Sequence, residues 1–548
     1  MRKYLNLTIN FIKQEKILVT IFFLALVVRL WGSRYGLPII FNIDEPSFVR
    51  SVNGLRFSLN PNRFDWPHTH FYIHFVFYMA FYYIRAALQI VGLRPFFEHL
   101  FPLLWQDPPV FYFLSRVINA FLGALTIFPL YFASINLLKD KKLALMTVLL
   151  FSFIPFGVED AHRALLDTGM TFWISLAFLY ITKILDKPTS KNFLLTGVFL
   201  GLAFGTKYNA VFYFLVLAIA VLITFAKSNI KDSFLNYIRV SNIKKYLLTL
   251  FGFFSAWLIT NPTVITDFDL FWSKQYGRGF LFQFENVGSK TWLEYPTSLY
   301  ENLVTQSIGD YGITLYVVIT LLVICFLFFN YRNKVNVLTL IVPILMYLYI
   351  SKKDRNPSHY FIFLYPLIAV SVIKFLSDIS VGFPKFLTDQ KLVKKVNTKF
   401  ASYLLYGLFV FTMISPILGS INHAYLFSKP DTRNIAYDYL QDNLTKDDLV
   451  YYYRGELEQL YSKPYDYKKL YRFERSNVDT SRLPFYLVIG VDDVSYDDLM
   501  VGDRDTDLID GNVSRFINNS KLLLFVDNKH RLGPPVFIFK INDVEVSR

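Results

Sequence analysis

Long apolar runs separated by short charged connections dominate this chain. Runs near 17–33, 111–137, 143–158, 168–185, 193–207, 209–226, 246–262, 311–330, 336–350, 359–377 and 401–419 approach the ~20 residues that cross a bilayer as a helix. The pattern predicts a polytopic α-helical membrane protein of about 11 spans, with an upper count of about 13. One further apolar segment, HFYIHFVFYMAFYYI at 70–84, is shorter, carries two histidines and stops against Arg85. Charge decides how to read it. If it stays on one side, the basic connections at 137–142, 183–191, 226–245, 330–334 and 384–399 share a face with the amino terminus MRKYLNLTINFIKQEK, as cytoplasmic loops should. If it crosses alone, those five connections move outside. The segment is therefore expected to be an interfacial or re-entrant helix within a large first outer loop.

Beyond Ser428 the pattern changes. Short strand-like runs follow at DLVYYY, FYLVIG, KLLLFVD and PVFIFKI, with a helical stretch at TRNIAYDYLQDN. This predicts a membrane domain over 1–425 and a soluble extracytoplasmic α/β domain over 426–548, large enough for its own core.

Composition narrows the class. With 54% hydrophobic and 18% aromatic residues, the chain is too apolar for ordinary soluble domains. The lone Cys325 lies inside an apolar run, which excludes a disulfide framework and a cysteine-based metal site. A net charge of +14 is accounted for by basic cytoplasmic loops and does not require a nucleic-acid partner. The run at 17–31 has no small-residue cleavage site and reads as a permanent anchor. The expected setting is the plasma (inner) membrane, multi-pass, with a cytoplasmic amino terminus.

This topology gathers the candidate chemistry on the outer face: Asp44 and Glu45 in FNIDEPSFVR, the stretch EDAHRALLD at 159–167, the loop 263–308, and SKKDRNPSHY at 351–360. Lys352, Lys353 and Arg355 form a positive cluster in a short outer loop, against the bias the other loops obey, and an anion there would compensate. Arg116 and Lys207 sit near outer span ends, where an unpaired charge is costly. Simpler roles compete. Asp44 fits an N-cap for a helix starting at Pro46, and Asp167 fits a cap for the span beginning at Thr168. His68, His70 and His74 have metal-ligand spacing, yet one short helix with no nearby cysteine favours hydrogen-bonded imidazoles.

Eight stretches, taken in order, resemble a known family: NIDEPSFV, WPHTHFYIHF, LSRVINAFLGALTIFPLYF, AHRALLDTGMTFWISLAFLY, GLAFGTKYNAVFYFL, LITNPTVITDFDLFW, RNPSHYFIFLYPLIAV and PDTRNIAYDYL. The chain is similar to the GT-C membrane glycosyltransferases, in the protein O-mannosyltransferase-like group that includes the lipid A aminoarabinose transferases. The resemblance implies transfer of a sugar from a polyprenyl-phosphate carrier to a protein, lipid or glycan acceptor at the outer face, with inversion at the anomeric carbon. Asp44 is then the expected base, with Glu45 and Asp167 completing the acidic set. Arg355, supported by His359, Lys207, Arg116 and Lys353, would meet the charge growing on the leaving phosphate. His68, His162 and Tyr208 would contact sugar or acceptor, and the lipid tail would lie along aromatic spans. No cofactor is assigned by the resemblance. Some members of the wider superfamily hold a divalent metal on outer carboxylates, which directs attention to Asp44 with Asp167.

The chain departs from that group in places. FDWPHTH replaces the Glu-Lys-Pro-Pro of the aminoarabinose transferases, putting Trp66 and His68 where Lys and Pro would stand. No inserted luminal domain fits between 263 and 308. Two other classes stay in view. A glycan ligase or polymerase would need similar outer groups, whereas a secondary transporter would place charges at the bilayer midplane and show an inverted repeat, neither of which is found.

Overall fold

The computed structural model describes residues 13–96, 108–284, 288–302, 313–328, 333–354, 357–390, 398–445, 447–453, 470–472, 478, 482–490, 520–528 and 530–542. The chain divides into two compact units. One combines Met1–Trp31 with Ser47–Ala424, and the other combines Gly32–Pro46 with Tyr425–Arg548. The stretch with Asp44 and Glu45 thus belongs to the same unit as the C-terminal residues.

The first unit is helical. Among the described residues eight helices are long and apolar enough to cross a membrane, and a ninth is added if the bent pair Lys141–Ser152 and Pro155–Ala161 counts as one span. The 58° bend falls where Pro155 interrupts the helical hydrogen-bond ladder. Three of the runs expected to span form shorter helices in the described residues: Lys16–Leu30, Ser190–Phe204 and Ile313–Phe328.

The helix at 70–84 extends further than the apolar run alone indicates. It is the core of a 22-residue helix, Thr69–Ile90, which has the length and apolarity of a span. The reason is local. Arg85 interrupts the run by one residue only, and Ala86, Ala87, Leu88 and Ile90 carry the apolar character for another turn.

Local chemistry sets several helix ends. The Asp140 carboxylate accepts from the Lys142 and Leu143 N–H groups and opens the 141–152 helix. Asn333 does the same for Lys334–Ser351 through the Val335 and Asn336 N–H groups.

Close approach between Ser190–Phe204 and Val240–Thr260 comes from glycines spaced four apart in TGVFLGLAFG. A Cβ on Gly197 would lie 2.0 Å from the Thr249 carbonyl oxygen, and one on Gly201 would lie 2.3 Å from that of Phe253. Gly252 faces the Leu194 oxygen from the other side. Without a hydrophobic driving force between helices in lipid, such backbone contact is what makes the pair adhere.

The second unit is built on a five-stranded sheet of order β2-β1-β3-β5-β4. The strands are β1 Val450–Tyr453, β2 Leu470–Arg472, β3 Phe485–Gly490, β4 Ser520–Val526 and β5 Val536–Ile541. β1 pairs in parallel with β2 and β3, while β5 runs antiparallel to both β3 and β4. β3 is buried along its whole length. On one side its residues Tyr486 and Val488 pack with Ala436 and Leu440 of the helix Thr432–Asn443 and with Ile39 and Phe41. Of the five strands, β2 alone had no counterpart in the sequence reading.

Replacing Gly201 with Leu should drive a side chain into the Phe253 backbone and cost about 1–3 kcal/mol. The measurement is thermal unfolding in detergent, with Gly407→Ala as the control because nothing lies within 4 Å of its would-be Cβ. Equal melting of the two variants would exclude this glycine contact as the basis of helix pairing.

Candidate functional site

In the first unit, Asp167 and Lys207 come together, and a scaffold of hydrogen-bonded side chains adjoins them. Asp167 begins the helix Asp167–Asp186, and Lys207 follows directly on Ser190–Phe204, so two helix ends bring them together. The Lys207 Nζ donates to both Asp167 oxygens, at 2.7 and 2.8 Å. The same ammonium lies 5.2 Å from the centre of the Tyr360 ring, beside His359. A second carboxylate, Asp160, is fully buried and accepts from the Thr168 hydroxyl at 2.8 Å. Its other oxygen has no hydrogen-bond partner. Asp160 was not singled out from the sequence, although it stands in the quoted stretch EDAHRALLD.

The scaffold beside this cluster runs through the aromatic helix Thr69–Ile90. His70 Nε2 faces Asn119 Oδ1 at 3.0 Å and His74 Nε2 at 3.0 Å, and His74 Nδ1 faces the Ser115 hydroxyl, which also meets Tyr78. Asn119 in turn donates to the carbonyls of Arg163 and Leu165, fixing the turn that leads into Asp167. Ser115, Arg116 and Asn119 in a largely apolar helix were the sequence signal for this.

Three separate motifs meet at the start of that helix. Asn261 Oδ1 accepts from the His68 N–H at 2.6 Å, the Gly205 carbonyl accepts from the Thr69 N–H at 2.7 Å, and His68 Nδ1 faces the Thr263 hydroxyl. Gly205 is required here, since a Cβ would lie 2.4 Å from the Thr69 hydroxyl oxygen. The WPHTH, GLAFGT and LITNPT stretches are thus one structural joint.

The residues expected to contact sugar or acceptor already have partners. His68 Nε2 lies 2.6 Å from the Arg63 carbonyl, Tyr208 donates to the Phe64 carbonyl at 2.7 Å, and the two ring nitrogens of His162 face the Val158 and Trp31 carbonyls. Burial pulls His162 down to about 4, with the charges of Arg116 and Arg29 acting the same way, so its ring is neutral near pH 7. Any sugar hydroxyl at these three positions displaces an existing bond.

Of the residues expected at the donor phosphate, Arg116 is buried on the helix Pro109–Leu125. Lys353 pairs with Ser289 in a short β-bridge, and its ammonium lies 5.1 Å from the Tyr349 ring centre. Backbone bonds from Lys290 to Lys352 and from Asp354 to Gly288 stitch the segment 288–302 to residues 351–354. Arg355 lies outside the described residues. No group of three His, Cys, Asp or Glu side chains among the described residues gathers as a metal site. Asp167 is a poor first ligand, since both of its oxygens already carry an ammonium.

In the second unit, the Asn42 side chain accepts from the N–H groups of Asp44 and Glu45, at 2.9 and 3.2 Å. The helix Glu45–Gly54 is therefore opened by Asn42, and the cap role considered for the Asp44 carboxylate is already filled. That carboxylate is half-buried and makes no hydrogen bond or ion pair among the described residues. Glu45 beside it is fully buried.

Residues 68–265 match a family model, that of dolichyl-phosphate-mannose-protein mannosyltransferase. The match covers His68, Arg116, His162, Asp167, Lys207 and Tyr208, starts after Asp44 and Glu45, and ends before Arg355. No curated protein matches the chain. Among solved structures the chain is similar to ArnT from Cupriavidus metallidurans bound to undecaprenyl phosphate, at 14% identity over 95% of this chain and 97% of that one, with a TM-score of 0.46. It is also similar to the oligosaccharyltransferase AglB from Archaeoglobus fulgidus in complex with an inhibitory peptide and a dolichol-phosphate, at 11% identity over 97% and 75%, TM-score 0.43. The S. cerevisiae protein O-mannosyltransferase Pmt1-Pmt2 complex bound to the sugar donor is similar at 20% identity over 46% and 34%, TM-score 0.33. Residues 68–265 thus carry the pattern of the dolichyl-phosphate-mannose-protein mannosyltransferase family, and that segment holds both Asp167 and Lys207.

Proposed function

We propose that this protein transfers a sugar from a polyprenyl-phosphate carrier to an acceptor hydroxyl at the outer face of the membrane, inverting the anomeric centre. The observation that carries the reading is that the mannosyltransferase pattern covers the segment in which the buried carboxylate of Asp167 meets the Lys207 ammonium at helix ends. The outer assignment is supported by the distribution of Lys and Arg among the connections.

In this mechanism the acceptor oxygen attacks the anomeric carbon while the bond from that carbon to the phosphate oxygen breaks. The acceptor proton passes to a carboxylate, and the phosphate leaves with an added negative charge. Asp44 suits the base role because Asn42 does its capping and no partner competes for its oxygens among the described residues. Cations suit the leaving group, and Arg355, Lys353, His359 and Arg116 are the candidates. Lys207 is committed to Asp167, so its contribution is to hold that carboxylate in place for sugar contact. Glu45 is a further candidate for the sugar. The enzyme class is assayed directly by incubating purified protein with radiolabelled polyprenyl-phosphate sugars, mannose first, and counting label that leaves the carrier. A protein that moves the intact carrier without cleaving it would be a transporter, and this reading would be wrong.

Two substitutions test the assigned roles. Asp44→Asn should lower turnover by about 10²–10⁴, the range for loss of a positioned general base, while the melting temperature stays unchanged because Asn42 remains. Full activity in that variant would assign the base elsewhere. For the buried pair, Lys207→Met should destabilise the protein by about 3–5 kcal/mol, because Asp167 is left buried and unpaired. The charge-neutral double variant Asp167→Asn with Lys207→Gln should recover most of that stability yet remain poor in transfer. Wild-type transfer by the double variant would reduce the pair to a structural role.

A further inference from the structure

The motif PDTRNIAYDYL has no role in the chemistry above, yet its first residues form an ionic knot around a fully buried carboxylate. Asp431 is 0% exposed and caps the helix Thr432–Asn443 by accepting from the Arg433 N–H. The Arg433 side chain turns back and grips both oxygens of the same carboxylate, through Nε at 2.8 Å and Nη2 at 2.9 Å. Tyr35, four hundred residues earlier in the chain, donates its hydroxyl to the second oxygen at 2.5 Å. Burial, and after it the Asp431 charge, pushes the Tyr35 hydroxyl well above its ordinary pKa, so it remains a donor across the physiological range.

The knot reaches further along the Tyr35 segment. The Arg433 guanidinium lies 3.8 Å from the centre of the Phe41 ring, a cation–π contact. Asn434 donates to the Gly36 carbonyl at 3.1 Å. Ile39 and Phe41 are buried in the same apolar cluster as Ala436 and Leu440 of that helix and Val450, Tyr486 and Val488 of the sheet. Gly32 and Gly36 take positive φ, and a Cβ on Gly32 would lie 2.7 Å from the Phe427 backbone, so the segment starts tightly as well. The residue after Phe41 is Asn42, whose side chain holds the N–H groups of Asp44 and Glu45. A continuous series of contacts thus runs from Asp431 through Arg433, Phe41 and Asn42 to Asp44, all within the second unit.

We propose that the Asp431–Arg433 fork is a positioning device for Asp44, so that the C-terminal α/β unit serves transfer by fixing the segment that carries the base. The inference rests on the reading of Asp44 as that base. Arg433, Tyr35 and Phe41 act as positioning residues and touch no reacting atom. The design is economical of parts: one carboxylate caps its own helix, neutralises its own arginine and anchors a distant tyrosine, so the segment cannot detach without exposing or orphaning a buried charge.

The test is Tyr35→Phe in the full-length protein, read by hydrogen exchange and by kinetics. Exchange in a peptide covering 36–46 should rise about tenfold while a peptide covering β3 stays protected. With polyprenyl-phosphate mannose as donor, kcat should fall about 10-fold to 100-fold at nearly constant donor KM, since a displaced base impairs the chemical step and leaves binding alone. If β3 also loosens, Arg433→Lys carries the same two readouts, because it keeps the charge next to Asp431 but loses the planar fork. Unchanged exchange over 36–46 overturns the proposal, and so does faster exchange with unchanged kcat. Failure of the base reading looks different: Asp44→Asn would then keep full turnover whatever the exchange pattern shows.

Discussion

A carboxylate buried at one helix end and answered by a half-buried lysine ammonium imposes the central constraint on the membrane unit. Asp167 is costly to take out of water, by several kcal/mol, and its burial is tolerable because the Lys207 ammonium lies within 2.8 Å. Their meeting requires Ser190–Phe204 to end where Asp167–Asp186 begins. The polar groups nearby obey the same demand. Asn119 ties down the turn before Asp167, Asn261 ties down the start of the aromatic helix, and His70 and His74 hand hydrogen bonds to one another and to their neighbours. In lipid, where water cannot supply missing partners, such a network is held together as a unit.

The same demand sorts the carboxylates into different chemical kinds. Asp167 is saturated by an ammonium on both oxygens, and Asp160 is half-satisfied by a threonine hydroxyl. Asp44 has surrendered the backbone capping that its position suggests, because the Asn42 side chain reaches those N–H groups first. A carboxylate with a lysine across both oxygens is a holder of geometry. One without a partner is available for a proton.

The second unit solves an analogous problem around a different carboxylate. Asp431 is buried on a helix N-terminus, where backbone dipoles favour negative charge, and the fork of Arg433 completes its neutralisation. The surplus hydrogen-bond capacity of that carboxylate goes to Tyr35, a residue distant in sequence. A small mixed sheet thereby incorporates fifteen residues, Gly32–Pro46, from the other end of the chain.

The apolar periodicity of the sequence determined most of the helices, because a run of that length can bury its backbone polar groups only by hydrogen-bonding to itself. The alternation after Ser428 likewise determined strands β1, β3, β4 and β5, each of which has a face to bury. Residue type alone also marked Asp44, Asp167 and Lys207 as costly charges near span ends. Tertiary structure decided the rest. Which cation answers Asp167, which turn Asn119 holds and which helix start Asn261 holds are matters of contacts across 40 to 193 residues, and no local pattern encodes a partner that far away. The extent of the aromatic helix past Arg85 was hidden for the opposite reason, since a single charge looks like an end when judged locally but a long arginine stem can remain on a helix that continues. The assignment of residues 32–46 to the C-terminal unit was least legible of all, because it depends on one buried carboxylate having a bond to spare.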